Sequence, residues 1–398
     1  MVSRLVKRLV SLLLVRETRS YPLIGLLFTL LILGGGTVRA DEWVYTFRPG
    51  DTLWVLCSTY VAEPDCWNKV ALRNKIANPR RISPGTKLYL PIAWLKVQPA
   101  KAKVLTVEGE PVMSLDDGKF KTIQKGDSFS VGDHLHSRDG SFLLEFADGS
   151  QLMVKAGSEV LFDTLTLYGD SGMVDTRIRL NRGRVRAKVT PSKGSGSRYE
   201  IVTPAAAAAV RGTVFRVSSA VSDTEGDAPV MTTEVLKGNV SVGNDQGEQS
   251  VDAGYAVKAE KGKVVMPPQA LLGAPTLTLD VEKRIADVVS EFPLVLGWQP
   301  IDGASAYRLE LFIVEAGDRG EERFIFEEKL IVANKTLSLL KEGRYKINVR
   351  AIDSNGFEGV DKTIEIVVLS PREVIVKVEN ERWWPYVFGS ALLSFLIL

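Results

Sequence analysis

The chain has 398 residues, 45% of them hydrophobic and 25% charged, with 50 Lys and Arg against 48 Asp and Glu. That is ordinary globular composition, and the length suggests two to four domains. The positive balance sits in residues 1–40, where Arg4, Lys7, Arg8, Arg16, Arg19 and Arg39 face one acid, Glu17; the remainder is faintly acidic, which excludes a basic surface broad enough to hold nucleic acid.

Residues 1–40 read as an export signal. A basic stretch leads into the apolar run 23–33, then Gly34, Gly35 and Gly36, and Val38 and Ala40 supply small residues for cleavage after Ala40. The apolar run is about half of the ~20 residues a spanning helix needs, which favours a cleaved leader over an anchor. Either way the later residues leave the cytoplasm, for a bacterial periplasm or cell envelope. In that oxidising setting Cys57 and Cys66 can pair across the turn at Pro64 and Asp65. Metal binding is the alternative for them, with no further ligand nearby.

Residues 41–95 read as strand, helix, helix, strand. A strand over 43–47 ends at Pro49 and Gly50, and Asp51 is placed to cap a helix with Leu53, Leu56, Cys57 and Tyr60 on its apolar side. A second helix carries Trp67, Val70, Ala71 and Asn74 on one side until Asn78-Pro79 breaks it. Ser83, Pro84 and Gly85 make a turn into a closing strand over 87–90.

From 96 to 266 the rhythm changes to short alternating runs separated by turn pairs such as Gly126-Asp127, Asp139-Gly140 and Asp148-Gly149. This predicts an all-β roll, barrel or short solenoid. Arg184, Arg186 and Lys188 alternate with Val185, Ala187 and Val189, and the charged face reads as solvated. Residues 192–197 and 222–229 read as loops, the first flexible. A Pro- and Gly-containing linker covers 267–291. Over 292–370, alternation at Leu294, Leu296 and Trp298, at Tyr307, Leu309 and Leu311, at Phe324 and Phe326, and at Tyr345, Ile347, Val349 and Ala351 predicts a β-sandwich. In the tail, 371–398, Trp383, Trp384 and Tyr386 precede an apolar run over 387–398. It is too short to span a bilayer but bordered like a membrane-interface segment; membrane contact, burial against a partner and absence of order are the alternatives. The fold class is therefore multidomain and mainly β: a small βααβ module, an all-β roll or solenoid, then a sandwich.

The first unit resembles a LysM domain. Tyr45, Phe47, Arg48, Pro49, Gly50, Asp51, Thr52, Leu53 and Trp54 match the opening of that family. Asn74, Ile76, Ala77, Asn78, Pro79, Ile82, Pro84, Gly85 and the run to Pro91 match its close. The resemblance implies binding of N-acetylglucosamine-containing glycans, chiefly peptidoglycan, in a shallow groove between two loops. Carried over, one loop is Gly50, Asp51, Thr52 and Leu53, and the other Ile76, Ala77, Asn78, Pro79 and Ile82. An acetamido group offers an amide and a methyl, which backbone donors and acceptors beside a small apolar floor can read.

The middle unit resembles a FecR-type domain through residues 181–187, Thr203-Pro204 and Val210 to Val217, including Arg211-Gly212-Thr213, with Gly238, Gly254 and Tyr255. Gly212 is expected to serve backbone geometry or close packing, and Arg211 to pair with a buried acid or meet a partner. The family resemblance implies extracytoplasmic signalling; residues 1–20 are too short to fold as a cytoplasmic effector, so a scaffold contacting an envelope protein is the preferred expectation and signalling the alternative. The last unit resembles a fibronectin type III domain.

No enzyme is expected: no nucleophile elbow, phosphate cradle or carboxylate pair stands out. No cofactor is implied. His134 and His136 would share a strand face, but no Cys lies near them, the nearby acids Asp133 and Asp139 fit turns, and no metal is assigned.

Overall fold

The computed structural model describes residues 41–192, 194–221, 227–278, 288–289, 294–314, 322–337 and 340–368. The expected leader, the apolar tail and most of the 222–229 loop lie outside the described residues. Of residues 281–292, which the sequence leaves open between a short helix and an extended strand, only Val288 and Val289 are described, as a strand.

The first unit is β1 (Glu42–Thr46), α1 (Leu53–Tyr60), α2 (Cys66–Arg73) and β2 (Lys87–Pro91). The two strands pair antiparallel from Glu42 opposite Pro91 to Thr46 opposite Lys87. Period-two alternation sends Trp43, Tyr45 and Phe47 inward with Leu88 and Leu90, onto Leu53 and Leu56 of α1 and Val70 and Ala71 of α2. Cys57 and Cys66 form a disulfide that ties the two helices together. Trp67 departs from the expected stripe: it is exposed, and Cys66 takes the buried place. The second helix also ends before Asn78-Pro79. Lys75 turns to φ +54° and Ile76 N donates to Ala71 O at 2.9 Å, closing the helix with a left-handed residue. Asn74 then acts as a stand-in for a strand: its side chain accepts from Tyr89 N at 2.7 Å and donates to Tyr89 O at 3.1 Å.

The middle unit closes into a barrel built from two sheets that share the long strand Val174–Lys188. The first half of that strand pairs with Glu159–Tyr168 and runs parallel to Arg198–Val202; the second half pairs with Gln151–Val154 and Val214–Ala220. Gly183 sits at the crossing with φ +95°, and a Cβ there would come within 2.4 Å of Ser158 Cα. Only glycine lets the strand pass from one sheet to the other at that closeness. Phe142, Phe162, Ile178, Val185, Phe215 and Val240 fill the space between the sheets.

Gly212 serves a similar purpose. Its φ is +87° and a Cβ would lie 2.8 Å from Pro191 Cα. Arg211 is exposed and does not meet a buried acid; the buried cation of the motif is Arg216. The loop over 192–197, expected to be flexible, instead wedges against the first unit. Gly194 packs by Met173 and Trp43, and Gly196 by Ile92, so closely that a Cβ on either would strike its neighbour. Met173, fully buried, completes the first unit's core.

The third unit is a sandwich. One sheet orders Val288–Val289, Lys362–Val368, Gly343–Asp353, Ala304–Val314 and Glu322–Leu330; the other pairs Leu294–Gly297 with Asn334–Leu337. Its core holds Leu296, Trp298, Leu309, Leu311, Ile347 and Val349. Part of the 267–291 segment is packed on it: Leu272 lies against this core and Leu277 bridges to Trp298.

The charged face at Arg184, Arg186 and Lys188 is not simply solvated, and this corrects the sequence reading. The sandwich lays the outer face of its larger sheet on that side of the barrel. Arg184 pairs with Glu327 and, at 3.3 Å, with Glu358; Arg186 pairs with Asp361 at 3.0 Å. Arg216 meets Glu234 and Asp361 at 3.2 Å each. Arg350 grips Glu310 with two nitrogens, at 2.8 and 3.0 Å, and reaches Glu358 and Asp361. Beside these charges Leu105, Leu143 and Met153 of the barrel meet Phe312 and Phe324 of the sandwich. Lys188 stays exposed and lines the cavity of about 280 Å³ left beside that apolar patch.

Candidate functional site

The loop between β1 and α1 is organised around Asp51. Its carboxylate accepts from the Tyr45 hydroxyl and from Arg48 N, each at 2.7 Å, while Asp51 N donates to Arg48 O at 3.1 Å. The hydrogen bond from Tyr45 holds the Asp51 carboxyl below its ordinary value, helped by the Arg48 amide. Burial pushes the Tyr45 hydroxyl up to about 12, with the Asp51 bond adding to it. At neutral pH the acceptor is thus ionised and the donor protonated. Contrary to the expectation from sequence, Asp51 does not cap the helix. Thr52 does, its Oγ1 accepting from Val55 N at 3.1 Å from an extended backbone. Gly50 stands exposed at φ +88° with open space where a Cβ would be.

The loop between α2 and β2 is built on Asn78. Its carbonyl accepts from Arg81 N and its side chain from Arg80 N, both at 3.0 Å. Ala77 and Asn78 are exposed; Ile76, Pro79 and Ile82 are half-buried, and the two isoleucines rest on the core.

Both loops leave the same end of the hairpin. Phe47 N donates to Thr86 O at 2.9 Å and Gly85 N to Phe47 O at 2.7 Å, so their roots are stitched together. Eight of the nine residues carried over by resemblance keep accessible surface here. Leu53 is the exception: at 3% exposure its side chain belongs to the core. Its amide and that of Trp54 lie in the first helical turn, where no preceding carbonyl within the helix can receive them. Two features escaped the sequence reading. Trp54 projects from that turn at 70% exposure. Arg48 on the first loop and Arg80 and Arg81 on the second are all exposed.

A LysM domain model matches residues 45–91 and a FecR protein model residues 133–241. The chain carries a LysM domain followed by a FecR domain. LysM is a glycan-binding module, neither domain type is catalytic, and both point to an extracytoplasmic protein. Among curated proteins none matches the chain. Solved structures with some likeness include a candidate anti-sigma factor from Parabacteroides distasonis. That one is 17% identical, with TM-score 0.27 over 36% of this chain and 58% of its own, so the chain spans little more than half of it. A second structure described in the same words and from the same organism is 14% identical, with TM-score 0.28 over 40% of this chain and 77% of its own. An Fn3-like protein from Clostridium thermocellum is 19% identical, with TM-score 0.17 over 26% of this chain and 93% of its own. No described helix is long and apolar enough to cross a membrane.

Proposed function

We propose that the protein is a non-catalytic component of the cell envelope that holds peptidoglycan through its LysM domain. The supporting observation is the pairing of the two loops at one end of β1–β2. That arrangement offers the amides of the first α1 turn, the turn at Gly50–Asp51 and the exposed Ala77–Asn78 backbone beside the half-buried Ile76, Pro79 and Ile82. Neutral polar groups over a small apolar floor suit an acetamido sugar, which needs hydrogen bonds and contact with its methyl and no ion pair. The exposed Arg48, Arg80 and Arg81 suit the carboxylates that peptidoglycan carries beside its sugars.

The FecR barrel and the sandwich then act as one arm, because Leu105, Leu143 and Met153 bury apolar surface against Phe312 and Phe324 while the charges around that contact are matched across the junction. On this reading the arm presents a surface to an envelope protein. The FecR match supports signalling outside the cytoplasm as a second reading; on it, the same arm passes a partner's binding onward. Mixing the chain from residue 41 onward with insoluble peptidoglycan and sedimenting it tests the first reading. The protein should pellet with the wall material in a saturable manner, and a chain left wholly in the supernatant contradicts it.

A further inference from the structure

On the outside of the barrel, away from both loops of the LysM groove in sequence, three side chains with metal-ligand chemistry come together. Strand His134–His136 lies between Val112–Ser114 and Glu159–Tyr168. Leu135 points inward and is fully buried, so His134 and His136 share the outer face. Glu159 stands directly opposite His136 in the register, and its Oε1 lies 2.7 Å from His134 Nε2. The two imidazoles are 4.4 Å apart between centroids. One donor atom from each of the three residues falls within 4.8 Å of the others. In sequence the acids near the histidines, Asp133 and Asp139, belong to turns; the strand register brings Glu159 in from the neighbouring strand.

The surroundings hold this set in place. Asn181 Nδ2 donates to Glu159 Oε1 at 3.1 Å, and Arg182 Nε approaches Oε2 at 3.6 Å. Ser114 Oγ lies 2.9 Å from His136 Nε2. The Phe120 ring packs edge-on against His136 at 5.7 Å, with the Arg138 guanidinium over its face. His134 and Glu159 keep 31% and 21% of their side-chain surface, enough for an ion to enter from solvent. An ion pair accounts for His134 and Glu159, and a hydrogen bond with Ser114 for one nitrogen of His136, but neither accounts for the two imidazoles being set against each other. An ion drawing on all three accounts for the whole group.

We propose that His134, His136 and Glu159 bind one divalent transition-metal ion of the zinc class. Two imidazole nitrogens and one carboxylate oxygen are its donor set, whereas calcium and magnesium prefer oxygen alone. Three protein ligands leave a position for water, and the hydrogen bonds from Asn181 and Ser114 are the kind of outer contacts that orient ligands. Arg182 and Arg138 nearby set a modest, micromolar affinity instead of that of a closed structural site.

The test is calorimetric titration of the chelator-treated full chain with zinc chloride. One ion should bind per chain with a Kd of about 1–10 µM. His134→Asn with His136→Asn should weaken binding by roughly tenfold or more, and Glu159→Gln alone should weaken it too. These side chains lie outside the core, and melting curves without zinc check that the variants fold. X-ray absorption on the zinc-loaded wild-type chain needs no variant: a shell containing two imidazole nitrogens supports the site. A shell of oxygens alone, no uptake at ~100 µM zinc, or equal binding by the double variant overturns it.

Discussion

Lys155 of the barrel and Glu310 of the sandwich form an ion pair at 2.7 Å in which the side chains keep only 5% and 1% of their surface. Lys155 also lies over the Phe324 ring, 3.9 Å from its centre. Glu310 at the same time receives both arms of Arg350. The contact therefore welds two domains through charges that have almost no water. Such a junction tolerates loss of one partner poorly, since the other charge stays buried and uncompensated.

Glu310→Gln should accordingly lower stability by about 3–5 kcal/mol. Urea unfolding followed by circular dichroism measures this. A loss below about 1 kcal/mol, as for an exposed pair, would show that the junction is open in solution.

The same network predicts a pH dependence. Burial alone would raise the Glu310 carboxyl, but Arg350 and Lys155 outweigh it and hold it well below the usual range. Asp361 is lowered against burial by Arg216, Arg350 and Arg186, and Glu358 by Arg350, Arg216, Arg308 and Arg184. Depressed carboxylates bind fewer protons folded than unfolded, so their stabilisation is complete above the unfolded value of about 4–4.5 and is lost as pH falls below it. Glu234, raised chiefly by burial, runs the other way and offsets part of the loss. Lys155 is pushed down to about 8 by burial, against the pull of Glu310. Between there and the ordinary lysine value the unfolded chain binds more protons, so this group adds stability as pH rises through about 8 to 10.4. Melting temperatures across pH 2–11 should fall on the acid side, and Glu310→Gln should flatten that fall.

Gly183→Ala should cost about 2–3 kcal/mol or more, because it adds a left-handed backbone penalty to a clash with Ser158 and Gly157 backbone atoms that cannot swing aside. Gly126→Ala is the control. Its φ of +93° is similar but open space surrounds the new methyl, so about 1 kcal/mol is expected. Equal losses in the two thermal melts would refute the crowding at the sheet crossing.

The exposed loop arginines make a different prediction. Arg80→Ala with Arg81→Ala should weaken binding to peptidoglycan and reduce its salt sensitivity, while leaving binding to a neutral N-acetylglucosamine oligomer nearly unchanged. Equal weakening for both ligands would mean that the arginines shape the loop instead of meeting carboxylates.

Much of the fold was legible because it follows from short-range rules. The LysM helices and strands came from spacing at Leu53, Leu56 and Cys57, and from the alternation of residues 43–47. The sandwich core came from period two at Tyr307, Leu309 and Leu311. What alternation cannot reveal is what covers the second face. Arg308, Glu310 and Phe312 on the same strand, like Arg184 and Arg186 on the barrel, look solvated until another domain is placed on them. Register is hidden in the same way, so Glu159 could not be matched to His136 from sequence. The cap passed from Asp51 to Thr52 because a tyrosine hydroxyl in the adjoining strand claimed the aspartate. The candidate loops were legible through motif resemblance; the burial of Leu53 and the exposure of the loop arginines were not.

The most direct measurement is a calorimetric titration of the chain from residue 41 onward with a tetramer of N-acetylglucosamine, repeated on Ala77→Glu, which places a charged side chain at an exposed loop position. Recognition by the paired loops predicts saturable binding to the wild-type chain and at least roughly tenfold weaker binding to a variant whose melting curve is unchanged, a difference of about 1.4 kcal/mol. No saturable heat at millimolar sugar, or identical affinity in the variant, would contradict it.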